Sequence, residues 1–174
     1  REYMNQLDTP LETGYLLRIG IDHFKEINDN FGQEYGDFVL KKSAECISGC
    51  ISEGQKVYKL VADEFLILDV SSDQVRDADK LYDKVRAATD RFIESNEFKV
   101  MYTISGGIVP FAALKGNQYA EALKLTDFAL NEAKKLGRNR CYIFNGETYR
   151  KFLRKREITQ ELREAVINGF QGFT

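Results

Sequence analysis

The stretch Lys56-Val-Tyr-Lys-Leu-Val-Ala-Asp-Glu-Phe-Leu-Ile-Leu-Asp-Val70 decides the fold. Residues 56–60 and 65–70 carry aliphatic, β-branched and aromatic side chains and read as strands. Only Val61-Ala-Asp-Glu64 separates them. A linker that short joins neighbouring strands as a hairpin, so the pair must run antiparallel. It lacks the Asn-Gly or Asp-Gly of a tight turn. An antiparallel pair inside an α/β chain means a mixed sheet and excludes a doubly wound nucleotide fold.

Upstream, Gly14-Tyr-Leu-Leu-Arg-Ile-Gly-Ile21 is a short apolar run and reads as a buried strand. Asp22 closes it and is placed to cap a helix through Phe24, Ile27 and Asn28 to about Phe31, which Gly32 stops. Apolar residues at helical spacing predict a second helix over 35–51. Downstream, an amphipathic helix is expected over 72–96. A β-branched strand follows over 100–108, ending at Gly106-Gly107. A helix over 119–136 stops at Gly137, a natural C′ residue. The last strand spans 140–144, and a charged helix covers 148–167. The order is β-α-α-β-β-α-β-α-β plus a C-terminal helix, an α/β (α+β) arrangement of one mixed, mainly antiparallel sheet flanked by helices.

The length of 174 residues suits one domain. A net charge of −2 supplies no field that would recruit nucleic acid or an anionic membrane. No apolar run reaches the roughly 18–20 residues that span a bilayer, so no membrane contact is expected of this segment. The opening Arg1-Glu2-Tyr3-Met4 reads as mid-helix, as in an excised fragment. A cytoplasmic setting fits, with any membrane attachment in a missing N-terminal region. Cys46, Cys50 and Cys141 have neither C-x-x-C spacing nor histidine company beyond His23, and read as small buried apolar residues rather than a metal cluster.

Three segments carry a resemblance. Ile21-Asp-His-Phe-Lys-Glu-Ile-Asn-Asp29 with Gly36-Asp37 resembles the D-I-D-x-F-K-x-x-N-D…G-D block of GGDEF domains. Ala62-Asp-Glu-Phe65 resembles the G-G-D-E-F signature in its strand–turn–strand setting. Asn131-Glu-Ala-Lys-Lys-Leu-Gly-Arg-Asn-Arg140 resembles the family's E-A-K-x-x-G-R-N block. The resemblance covers about residues 1–145 and implies a nucleotide-cyclase and polymerase-palm-like fold. In active members two such domains meet face to face, a homodimeric arrangement, and join two GTP molecules into cyclic di-GMP with divalent metal. A 3′-hydroxyl attacks an α-phosphate, which calls for carboxylates that hold Mg²⁺.

Carried over position by position, the resemblance gives a divided result. Gly20 stands where the family has a metal-binding Asp. Val61 and Ala62 replace the signature glycines, and a β-branched valine does not take positive φ comfortably. Asp63 and Glu64 survive as remnants of the catalytic pair, with Glu64 the one candidate metal ligand. Asn28 and Asp37 match the guanine-reading pair, and Lys134 and Arg138 the phosphate-binding pair. The inhibitory R-x-x-D motif would fall at Ser52–Gln55, which reads Ser-Glu-Gly-Gln. Plainer readings stand beside these. Asp22 is more simply a cap than a substitute ligand, Asn28 and Asp37 are capping and turn residues, Lys134 and Arg138 complement a helix dipole, and Asp63 and Glu64 are turn residues.

Residues 1–146 are therefore expected to form a GGDEF domain, and 147–174 a linker helix like that leading into EAL phosphodiesterase domains. The function implied is a catalytically impaired module that binds GTP or a related guanine nucleotide, with Mg²⁺ only weakly involved, and regulates an attached EAL partner. The alternatives are an active diguanylate cyclase with a variant signature and a ligand-free structural or dimerisation domain.

Overall fold

The expected hairpin forms: β2 (Gln55–Lys59) and β3 (Glu64–Asp69) pair antiparallel in the computed structural model, with Lys59 opposite Phe65. The structure describes residues 13–72, 74–95, 100–115 and 119–167. The stretch Arg1-Glu2-Tyr3-Met4, the expected helix end at Asn96 and the chain beyond Ile167 lie outside them. Strands β1 (Tyr15–Ile21), β4 (Ile104–Pro110) and β5 (Cys141–Ile143) complete a sheet of order β2-β3-β1-β4-β5. Only β4 and β5 run parallel. Helices α1 (Phe24–Phe31), α2 (Gln33–Ser48), α3 (Val75–Ser95) and α4 (Tyr119–Lys135) lie between the strands in the expected order, and α5 (Gly146–Ile167) follows. The chain divides into two compact units between Phe144 and Asn145.

β1 is the spine of the sheet, hydrogen-bonded to β3 on one side and β4 on the other. Its Leu17, Ile19 and Ile21 are fully buried in one cluster with Val39, Ile47, Val85 and Ile108, which unites the α1–α3 layer with the sheet. The other face carries α4, whose Leu125, Phe128, Ala129, Leu130 and Ala133 are buried. Burial of two such layers is the main stabilising term.

Three sequence expectations need correction. The second helix starts at Gln33 and ends at Ser48, so Cys50 and Ile51 lie beyond it. The fourth strand starts at Ile104, not 100. The residues before it have other partners: the Thr103 carbonyl accepts the Asp22 N–H at 2.8 Å, and the Tyr102 and Ser43 hydroxyls meet at 3.0 Å. Gly106-Gly107 sits in the middle of β4 instead of ending it. A Cβ at Gly106 would stand 2.7 Å from Tyr82 Cδ2 on α3. At Gly107 it would stand 2.7 Å from the Ala129 carbonyl carbon and closer still to the Leu130 nitrogen. The two glycines let helices approach the strand from opposite faces.

Of the cysteines, Cys50 is buried and Cys46 and Cys141 are half-buried, all free. Burial pushes all three thiols up from their ordinary range, which makes them poor nucleophiles and ligands. In the second unit, Asn145 Oδ1 accepts the Glu147 and Thr148 N–H groups, each at 3.0 Å, and so caps α5. No helix among the described residues is long and apolar enough to cross a membrane.

Because the atoms facing Gly107 belong to the α4 backbone, Gly107→Ala should cost about 3 kcal/mol or more, the upper range for overpacking. Gly20→Ala, facing only flexible side-chain ends, should cost less than about 1 kcal/mol. Urea unfolding of the two variants checks the ordering.

Candidate functional site

The strand register alone places the first group. Gly20 lies directly opposite Glu64 on the neighbouring strand. Residues so paired project to one face of the sheet with Cβ atoms about 4.5–5.5 Å apart, so a carboxylate at position 20 would stand beside that of Glu64. The absent side chain leaves a space that α4 fills. A Cβ at Gly20 would stand 3.2 Å from Lys134 Nζ and 3.2 Å from Leu130 Cδ2.

Glu64 is not free. Arg18, two residues before Gly20 and on the same face, donates from Nε to Glu64 Oε2 at 2.7 Å, and its Nη2 meets the same oxygen. Arg18 also donates to the Leu123 carbonyl at 3.2 Å and lies 3.3 Å from Asp127 Oδ1, so β1, β3 and α4 are joined through one guanidinium. Lys134 Nζ approaches the other carboxylate oxygen, Oε1, at 3.9 Å, a looser contact. Side-chain exposures of 14% for Arg18 and 18% for Glu64, against 25% for Lys134, rank the same way.

The signature turn keeps the shape of a glycine turn without its glycines. Ala62, not Val61, takes positive φ, at 55°. Val61 has no such strain and points to solvent, 84% exposed, which corrects the expected fault there. The left-handed residue is held by Lys59, whose ammonium donates to the carbonyls of Ala62, Leu60 (3.3 Å) and Glu64 (3.4 Å). Burial pushes that ammonium down from the usual lysine value, while Asp63 and Glu64 pull it back up. Asp63 is half-buried, and its carbonyl accepts the Ile21 N–H at 3.3 Å, tying the turn to the end of β1.

Asp22 does not cap α1. The residue before that helix is His23, in the left-handed region at φ 58° and without a side-chain cap. The Asp22 carboxylate, 2% exposed, turns the other way. It accepts from Ser105 Oγ and Thr103 Oγ1, each at 2.7 Å, and from the Asn139 N–H at 3.2 Å. These bonds fix the turn that follows α4. There Gly137 donates to the Lys134 carbonyl and Arg138 to that of Ala133, the paired bonds of a Schellman end, with Gly137 at C′ as the sequence indicated. Arg138 is exposed, with φ 61°.

The second group lies on α1 and α2. Asn28 packs against Gly36, where any Cβ would collide with its Oδ1 and stand 2.9 Å from its Cγ. Gly36 immediately precedes Asp37, which is exposed. Asn28 Oδ1 is buried and has no hydrogen-bond partner among the described residues. An unsatisfied buried acceptor costs about 1–3 kcal/mol. The structure thus brings Glu64 and Lys134 together beside Gly20, and sets Asn28 next to the residue before Asp37. A separate pocket of about 390 Å³ beside α1, lined by Asp22, His23, Glu26, Phe31, Met101 and Thr103 among others, includes none of these five residues.

Residues 1–140 match the family described as diguanylate cyclase, GGDEF domain. The chain belongs to the GGDEF family. It is 29% identical over 152 residues to the cyclic di-GMP phosphodiesterase NbdA of Pseudomonas aeruginosa, covering 87% of this chain and 19% of that protein. It is 34% identical over 134 residues to a diguanylate cyclase of Vibrio cholerae, covering 76% of this chain and 40% of that one. The chain thus spans well under half the length of these curated relatives. Among solved structures, the GGDEF domain of TpbB (YfiN) from Pseudomonas aeruginosa superposes with a TM-score of 0.74 at 26% identity, covering 87% of this chain and 92% of that one. The active GGEEF domain of a Vibrio cholerae diguanylate cyclase gives 0.62 at 31% identity, covering 76% and 83%. An EAL/GGDEF domain protein from M. capsulatus gives 0.70 at 25%, covering 83% and 92%.

The family resemblance implies divalent metal at the Gly20–Glu64 pair, and the residues present do not fit one. Gly20 offers no ligand, Glu64 is engaged by Arg18, and an ammonium occupies the adjoining space. Among the described residues, no group of three His, Cys, Asp or Glu side chains is placed to hold a metal ion. Sequence reading passed over Arg18, although a lone charge inside an apolar strand was the available signal.

A lost N-cap costs about 1 kcal/mol, whereas removing a buried carboxylate strands every donor aimed at it. Asp22→Ala should therefore cost about 3 kcal/mol or more, read by chemical denaturation.

Proposed function

We propose that this GGDEF domain is catalytically impaired, binds a guanine nucleotide, and regulates an EAL phosphodiesterase attached through residues 147–174. The engagement of Glu64 by Arg18 carries this reading. Cyclase chemistry needs carboxylates free to hold metal at the reacting phosphate. Here one carboxylate is missing and its partner is neutralised from within the fold. Mg²⁺ typically relies on only one or two protein carboxylates besides the substrate phosphates, so these two changes remove most of what the protein would contribute. Asp63, half-buried in the signature turn, is a remnant in this reading.

Nucleotide binding is supported by the seat that Gly36 leaves for Asn28 and by its unpartnered acceptor. In this assignment Asn28 and Asp37 read the guanine edge, the carboxylate accepting from its N–H groups. Lys134 and Arg138 meet the phosphates. The EAL partner is suggested by the relatives, one named a cyclic di-GMP phosphodiesterase and one structure an EAL/GGDEF domain protein. In such a tandem, residues 147–174 are the connecting segment, and the domain reads the cytoplasmic nucleotide pool. A second copy of the domain is the further partner that this family reading allows.

Incubated overnight with GTP and Mg²⁺ at high protein concentration, the chain should yield no cyclic di-GMP above a Glu64→Ala control. Chromatography decides this, and product above that control would restore the active-cyclase alternative. Calorimetry should show GTP preferred over ATP, with Asp37→Ala weakening GTP by about 1.5–3 kcal/mol as a charged contact is lost. Equal affinity for the two nucleotides removes the base-reading role.

In the full-length protein, GTP should alter cyclic di-GMP hydrolysis, because a ligand with different affinity for two states shifts the balance between them. Phosphodiesterase rates across GTP concentrations test this. Rates indifferent to GTP, in a protein whose GGDEF domain binds it, end the regulatory reading.

A further inference from the structure

Losing the carboxylate at position 20 explains a weakened metal site, but it does not explain what surrounds Glu64. Two cations, Arg18 and Lys134, approach that one carboxylate from the same face of the sheet, and Arg18 reaches on to Asp127. The two cations and two carboxylates balance without a metal. Arg18 makes the shorter, less exposed contact, on Oε2, while Lys134 stays 3.9 Å from Oε1 and one-quarter exposed. The pair therefore divides its work. Arg18 neutralises Glu64, which leaves the Lys134 ammonium only lightly committed, beside the space of the missing side chain.

We propose that Arg18 and Lys134 are a built-in replacement for the divalent cation, with Arg18 acting as a lock on Glu64 and Lys134 carrying positive charge to a nucleotide phosphate. The role of Lys134 rests on the nucleotide reading above; the lock does not. For Glu64 to ligate a metal it must leave Arg18, whose guanidinium is 14% exposed and would keep only the Leu123 carbonyl and half-exposed Asp127. Stranding a largely buried cation is unfavourable. A new carboxylate at position 20 would not by itself overcome this. Its Cβ would already stand 3.2 Å from Lys134 Nζ, so the first partner within reach is that ammonium. The neighbours at Gly20 are flexible side-chain ends, so the longer residue can be accommodated. Restoring the metal therefore takes two changes, both on β1.

The test is Mn²⁺ binding followed by electron paramagnetic resonance on the parent chain, Gly20→Asp, and the double variant Gly20→Asp/Arg18→Leu. Gly20→Asp/Arg18→Gln provides a second double variant that keeps a polar group near the Leu123 carbonyl should leucine disturb folding. Circular dichroism melts report folding of each. The parent and Gly20→Asp should show no saturable Mn²⁺ site. A folded double variant should bind Mn²⁺ at least about tenfold more tightly than Gly20→Asp, the scale on which a metal's supporting contacts act. A site in the parent, equal binding by Gly20→Asp and a double variant, or no binding by any folded double variant each overturns the lock. GTP calorimetry on the parent in EDTA is read separately. Binding that survives there, and weakens in Lys134→Ala, supports the fixed-cation role of Lys134. Absence of GTP binding removes the nucleotide reading and that role while leaving the Mn²⁺ result to stand alone.

Discussion

The backbone of α4 rests on β4 at Gly107, and the positions of Lys134 and Arg138 depend on that contact. With no side chain to hold them apart, helix and strand approach closely enough that the Ala129 carbonyl carbon would lie 2.7 Å from a Cβ there. One turn further along, the same helix delivers Lys134 over Gly20, and then ends in the Schellman turn that presents Arg138. A helix held further off the sheet would place neither. The close packing that stabilises the core also sets the reach of the charged groups.

Electrostatics around β1 then follow from the register. A strand buried on both faces tolerates a charge only if it is paired. Arg18 meets that requirement with Glu64 and Asp127 on the strand and helix beside it. Leu16, Arg18 and Gly20 alternate on the face toward α4, while Leu17, Ile19 and Ile21 fill the opposite core. The guanidinium and the missing carboxylate therefore share one patch of sheet, with Glu64 on the strand beside them. The two departures are physically one environment: an aspartate in the place of Gly20 would enter a site that already holds its own cations.

Much of the fold was legible because its signals are local. Apolar periodicity, the hairpin spacing around residue 62, and Gly137 past the end of a helix each state their meaning within a few residues. The misreadings arose where a residue's role is set by distant partners. Asp22 has the sequence position of a cap, yet Thr103, Ser105 and Asn139 claim its carboxylate. Gly106 and Gly107 look like the end of a strand, yet two helices on opposite faces require them mid-strand. Val61 looked like the strained residue of the signature turn, but the hairpin puts Ala62 in the left-handed position, with Lys59 donating to the surrounding carbonyls. At the site, the motif positions were readable one by one. Arg18 was not, and Gly36 was read as a motif residue without its packing against Asn28, because nothing in a motif says what packs against it.

The Asp22 bonds also place the site in time. Its partners lie 81, 83 and 117 residues further along the chain. A ribosome adds residues in order, so the carboxylate stays without its last donor until Asn139 has been made and has emerged. The turn around Arg138 is completed in the same interval, after the whole sheet except β5. A nascent chain thus carries Asn28 and Asp37 long before Lys134 and Arg138 have been made, and a product truncated between the two pairs would lack the second altogether.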